Sequence, residues 1–62
     1  MNWVSITDRT KCVDVQGTFV TVYFLTRKDV VLIDSGGAES PEFLLDLKQK
    51  GLSVLAILYT HL

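Results

Sequence analysis

Val30-Val31-Leu32-Ile33-Asp34-Ser35-Gly36-Gly37, then Ser40-Pro41-Glu42, then Val54-Leu55-Ala56-Ile57-Leu58-Tyr59-Thr60-His61 are the segments of the 62-residue chain that decide its fold. The first is a run of strand formers ending in two adjacent glycines, where backbone must swing away or approach a neighbour closely. The second is a helix start. Ser40 is placed to cap orphan N–H groups, Pro41 stands at N1 where its missing donor costs nothing, and Glu42 lies at the positive end of the dipole. Phe43, Leu44 and Leu47 recur at helical spacing while Glu42, Asp46, Lys48, Gln49 and Lys50 face water, which predicts one stripe packed on a sheet. Gly51 stops the helix, and Leu52 falls where a Schellman-type end sets a hydrophobic contact back to Leu47. The third segment is almost continuously apolar, as expected of an interior parallel strand.

A strand, a helix and a strand in that order form a right-handed crossover with parallel strands. Both carboxyl ends then lie on one edge of the sheet, Asp34 at the first and Thr60-His61 at the second. If the strands are immediate neighbours, their axes are about 4.8 Å apart. A carboxylate and an imidazole then meet where α/β proteins place ligands.

Upstream, Thr18 to Thr26 is rich in valine, threonine and aromatics and apolar on both faces, with Phe19, Tyr23 and Leu25 on one and Val20, Val22 and Phe24 on the other. That pattern predicts a strand covered on both sides. It is joined through Arg27-Lys28-Asp29 to Val30-Ile33 as a hairpin, and preceded by a turn at Gln16-Gly17. Trp3 to Val15 reads as two short edge-like strands or one bent ribbon. The expectation is an α/β (α+β) chain of order β-β-β-α-β with a terminal βαβ unit, without repeat, linker or low-complexity tract.

Composition narrows the function classes. With 48% hydrophobic and 21% charged residues and a formal net charge of −1, the chain is built for a core rather than for disorder. The six cations, Arg9, Lys11, Arg27, Lys28, Lys48 and Lys50, are scattered along the sequence and form no stripe to track a nucleic-acid backbone. No apolar run approaches the roughly 18 residues of a membrane span, and the start Met1-Asn2-Trp3 lacks the pattern of a signal peptide. Cys12 has no second cysteine to bridge and reads as a small hydrophobe in a reducing compartment, so a cytoplasmic location is expected.

Thr21-Val22-Tyr23-Phe24-Leu25, Val31-Leu32-Ile33-Asp34-Ser35-Gly36-Gly37, the capped helix and Ile57-Leu58-Tyr59-Thr60-His61 together resemble the opening of metallo-β-lactamase-fold hydrolases, the group with glyoxalase-II-like thioesterases and lactonases. The resemblance covers about residues 18 to 62. It implies that residues 1–62 are a single partial domain, the N-terminal part of an αββα sandwich, truncated within the first metal-binding loop. It makes His61 the first ligand of an H-x-H-x-D-H loop and Leu62 its first x. It makes Asp34 the candidate catalytic-site carboxylate, a buried support that orients the loop, with Ser35, Gly36, Gly37 and Thr60 supporting. The implied cofactor is zinc, whose bound hydroxide attacks a thioester, lactone or related ester. A hydrolytic zinc takes about three protein ligands and an open position, so the chain alone is expected not to hold zinc stably and to be inactive. The implied partners are a small-molecule substrate in the parent and a second copy in a self-associating fragment, with neither nucleic acid nor membrane.

Two other readings compete. Ile33-Asp34-Ser35-Gly36 also resembles the half-site of retroviral-type aspartic proteases, where two chains share a proton between like carboxylates. Against it, Gly37 replaces the usual alanine and a helix begins almost at once. The other reading is a non-catalytic small α/β remnant, with Asp34 a satisfied turn residue.

Overall fold

The computed structural model describes residues 1–34 and 36–60. Five strands and one helix follow in the order β1 (Asn2–Ser5), β2 (Thr10–Val15), β3 (Thr18–Phe24), β4 (Asp29–Asp34), α1 (Pro41–Gln49) and β5 (Ser53–Tyr59). The stretch before Gln16 thus resolves into two strands rather than one bent ribbon, and four strands precede the helix. The sheet runs in chain order, β1-β2-β3-β4-β5. The first three pairings are antiparallel and β4 with β5 is parallel, as a strand–helix–strand crossover requires.

Local chemistry accounts for the joints. Between β2 and β3, Gln16 and Gly17 both take positive φ, 54° and 85°, the backbone of a two-residue hairpin turn whose twist matches the strands. The Asp14 carboxylate accepts the Gly17 N–H at 2.9 Å. Ser40 is the N-cap of α1 and Pro41 its first residue, but the Ser40 side chain makes no capping hydrogen bond. At the other end the Leu52 N–H donates to the Leu47 carbonyl and the Gly51 N–H to that of Lys48, both at 3.0 Å. This is the Schellman pattern, and Gly51 supplies its left-handed residue at φ 71°.

Among the described residues the core lies on one face of the sheet only. Val13 and Val15 of β2, Val20 and Val22 of β3, and Val30 and Leu32 of β4 cluster with Ala38, Phe43 and Leu47. Trp3 closes one side of this cluster, its ring centroid 6.3 Å from that of Phe43, and its indole N–H donates to Asp46 at 2.7 Å. That bond ties the first strand to the helix. Lys50 adds a 2.8 Å ion pair to Asp46 and lies 5.0 Å over the Trp3 ring. The Lys50 and Trp3 hydrogen bonds together hold the Asp46 carboxyl below its ordinary range.

Three expectations are corrected. β3 is covered on one side, not two: Val20 and Val22 are buried, whereas Phe19 and Tyr23 on the opposite face are 58% and 38% exposed. Among the described residues β5 lies at the edge of the sheet rather than in its interior, with Leu55, Leu58 and Tyr59 more than half exposed. Leu44 points away from the packed stripe, which narrows to Phe43 and Leu47. The common cause is that one short helix can cover only one face.

Opposite the helix, Val4, Cys12, Thr21, Ile33 and Leu58 are successive cross-strand partners and form a row across all five strands. Among the described residues nothing is packed on Val4, Ile33 and Leu58 there, at 50%, 36% and 57% exposure.

Phe43 is the largest fully buried side chain and the point where helix, β1 and sheet meet. Phe43→Ala is expected to cost about 3–5 kcal/mol, a large share of the stability of so small a domain. Urea unfolding followed by the fluorescence of the single tryptophan should show the cooperative transition of the parent chain lost or moved to much lower denaturant.

Candidate functional site

The parallel pair β4–β5 sets the geometry of the candidate site. Asp34, the last residue of β4, is the register partner of Tyr59, the last residue of β5. Beyond the ladder, the Thr60 N–H and hydroxyl both donate to the Asp34 carbonyl, at 2.9 and 3.1 Å. The carboxyl ends of the two strands are therefore immediate neighbours on one rim, as expected from the crossover. His61 and Ser35, two of the residues singled out from the sequence, lie outside the described residues; Asp34, Gly36, Gly37 and Thr60 are placed together here.

Asp34 is a buried carboxylate, 2% exposed, which calls for compensation. The loop after it supplies that: Oδ1 accepts the Gly36 N–H at 2.6 Å and the Gly37 N–H at 2.5 Å. Burial pushes the Asp34 carboxyl up, but the N–H groups of Gly36, Gly37 and Ala38 outweigh it, and the net displacement is below the usual carboxylate range. The group is thus an anion at neutral pH that gathers the backbone of the following loop around itself.

The loop needs glycine at 37 for lack of space. A Cβ at Gly37 would stand 3.1 Å from the Cβ of Val15 and 3.2 Å from Cγ2 of Val20, both side chains rooted in the sheet. With Gly37 pressed onto β2 and β3, the chain turns up to the helix through the Ser40 N–H to Gly37 carbonyl bond at 3.2 Å.

Two rim residues escaped the sequence reading, Glu39 and Tyr59. The Tyr59 hydroxyl donates to Glu39 at 3.1 Å across the loop. Loss of that donated proton is opposed by Glu39, and the phenol is displaced above its ordinary value. Twenty positions separate the pair, and nothing in local pattern marks either residue; only the parallel register of β4 and β5 brings them together.

As a metal centre the described residues fall short. Among them no three His, Cys, Asp or Glu side chains stand close enough to hold a metal ion. Oδ1 of Asp34 is already engaged by two N–H groups and organises the backbone of the loop. A hydrolytic zinc takes about three protein ligands, more than the described residues bring together. Among the described residues no helix is long and apolar enough to cross a membrane.

The pH dependence of folding follows from the Asp34 environment. Its folded pKa lies below the unfolded one, so its contribution is complete above the unfolded value and is lost as pH falls through the folded value. Stability should therefore fall below a pH of about 4. Asp34→Asn should lower stability at pH 7 by roughly 1.5–3 kcal/mol and flatten the acid limb, leaving the share that belongs to Asp46. Urea midpoints measured from pH 7 to pH 2.5 check this; an acid limb of unchanged steepness in the variant would contradict the role given to Asp34.

Compared with known proteins, residues 15–62 match the family model of the metallo-beta-lactamase superfamily. No curated protein and no solved structure matches the chain. The match favours neither an aspartic-protease half-site nor a non-catalytic remnant. It begins at the end of β2 and takes in β3, β4, the Asp34 loop, the helix and β5, the elements that build the rim. With more than half of its length matched, the chain belongs to the metallo-beta-lactamase superfamily.

Proposed function

We propose that this chain contributes the first corner of a metal-dependent hydrolase site, glyoxalase-II-like in type, acting on a small thioester, lactone or related ester. The observation that carries the reading is the joining of the β4 and β5 tips through Thr60 and the Asp34 carbonyl, with the buried Asp34 carboxylate organising the loop beside them. His61 follows Thr60 in sequence and is the residue we assign as a zinc ligand. In this reading Asp34 is a positioning residue: it holds the loop rather than touching the reacting atoms. A hydrolytic zinc takes about three protein ligands; we assign the ligands other than His61 to protein outside this unit, and in this reading the chain alone is inactive as a hydrolase. The unpaired thiol of Cys12 supports a reducing, cytoplasmic setting.

The test uses the 62-residue chain itself. After equilibration with zinc and gel filtration, elemental analysis should find much less than one zinc per chain, and thioester hydrolysis should equal the blank. One tightly held zinc with turnover would overturn the assigned inactivity. Weak zinc uptake followed by equilibrium dialysis should fall in His61→Ala; unchanged uptake would remove the ligand assignment.

The same reading treats the unit as part of an αββα sandwich, with the face bearing Val4, Ile33 and Leu58 meant to be covered. In isolation a second copy takes that place, because a broad apolar face beside the open edge of β5 recruits another sheet. Sedimentation velocity between about 5 and 500 μM should show concentration-dependent association, within the range expected of modest apolar interfaces. Leu58→Lys, on the exposed face, should weaken it while leaving the circular dichroism spectrum intact; a monomer at all concentrations would overturn the proposal.

A further inference from the structure

The end of the molecule opposite the Asp34 rim has a different chemistry. Phe24 pairs with Val30 at one end of the β3–β4 ladder and Val20 with Asp34 at the other, so the β3–β4 turn is remote from the rim. At this far end the turn before β2, the start of β2, the end of β3 and the turn after it line an open cleft of about 500 Å³. Arg9, Lys11 and Arg27 line it with Asp8, Phe24 and Leu25. Half of the six cations of a chain whose net charge is −1 therefore converge on one concavity. They are scattered in sequence and gathered only by the hairpin pairing of β2 with β3.

These cations are also left uncompensated. Among the described residues, the ion pair within 4.0 Å is that of Lys50 with Asp46, and it involves none of the three. Asp8 shares the cleft but pairs with none of them. Lys11 has its ammonium 5.7 Å from the centroid of the Phe24 ring, a contact that orients the charge without neutralising it. Arg9 is aimed by a 3.3 Å bond from its guanidinium to the Leu25 carbonyl, which leaves further N–H groups of the fork unused. The Arg9 carbonyl in turn accepts the Phe24 N–H at 2.8 Å, so the turn that carries the arginine is pinned to the end of β3 that carries the ring.

We propose that this cleft is a binding site for a small dianionic phosphomonoester that carries a compact apolar body. Two guanidinium forks and an ammonium against one carboxylate leave two positive charges, the complement of a phosphate dianion. The ring of Phe24 and the side chain of Leu25 supply an apolar wall for the organic part. The volume lies in the range of small-molecule pockets. The site is separate from the rim and stands or falls independently of the hydrolase reading.

The experiment is an amide chemical-shift titration of the 62-residue chain with phenyl phosphate, against inorganic phosphate and phenol as charge-only and body-only probes. Phenyl phosphate is expected to give saturable shifts confined to residues 8–11 and 24–27, several-fold tighter than either control. Arg9→Gln with Arg27→Gln should weaken it at least tenfold. Arg27→Gln alone, in an exposed turn free of core contacts, should weaken it several-fold in a chain whose spectrum stays dispersed. Lys48→Gln with Lys50→Gln should change nothing. Equal affinity for inorganic and phenyl phosphate would overturn the apolar subsite. Shifts that do not saturate, that spread equally to Lys48 and Lys50, or whose midpoint is unchanged in Arg27→Gln would overturn the site itself.

Discussion

Among the described residues a single nine-residue helix must hold down a five-stranded sheet, and the rest of the structure depends on how it does so. A helix of that length is not stable alone in water. It exists because Phe43 and Leu47 are buried against valines of β2, β3 and β4, and because Trp3 from the first strand closes over Phe43 and bonds to Asp46. Helix and sheet are each other's condition for folding. The same arrangement leaves the opposite face bare, since no second helix or sheet is packed on it among the described residues.

The rim inherits its order from that packing. Because the helix returns the chain to a position beside β4, β5 adds in parallel and its tip arrives next to Asp34. Because Gly37 is pressed onto Val15 and Val20, the loop between strand and helix is tight enough for its N–H groups to converge on the Asp34 carboxylate. The buried charge is thus a product of close packing, and it in turn fixes where the helix begins. Stability and site share these residues.

Charge is distributed along the strand axis. Asp34, Glu39 and Glu42 lie at the rim or on the first turn of the helix, whereas Arg9, Lys11 and Arg27 share the cleft at the other end. The sequence shows these cations far apart, with Arg27 sixteen positions beyond Lys11. Antiparallel pairing of β2 and β3 sets Lys11 opposite Val22 and brings both basic segments to one end.

Much of the local structure was legible in the residues. The hairpins, the helix from Pro41, the Schellman end at Gly51 and the parallel crossover each rest on short-range signals: turn glycines, proline at N1, and the 3.6-residue and two-residue periods. The placement of Asp34 beside Thr60 was legible as well, because the handedness of a crossover leaves little choice. Tertiary structure alone decided the rest. Whether a strand of apolar residues is interior or edge depends on what pairs with its free side, so Val54–Tyr59 looked central and, among the described residues, lies at the edge. Whether both faces of β3 are covered depends on how many layers are available, and one short helix supplies one. The meeting of Tyr59 with Glu39, and the sharing of one cleft by Arg9 and Arg27, come from strand register, a long-range property that no local pattern encodes.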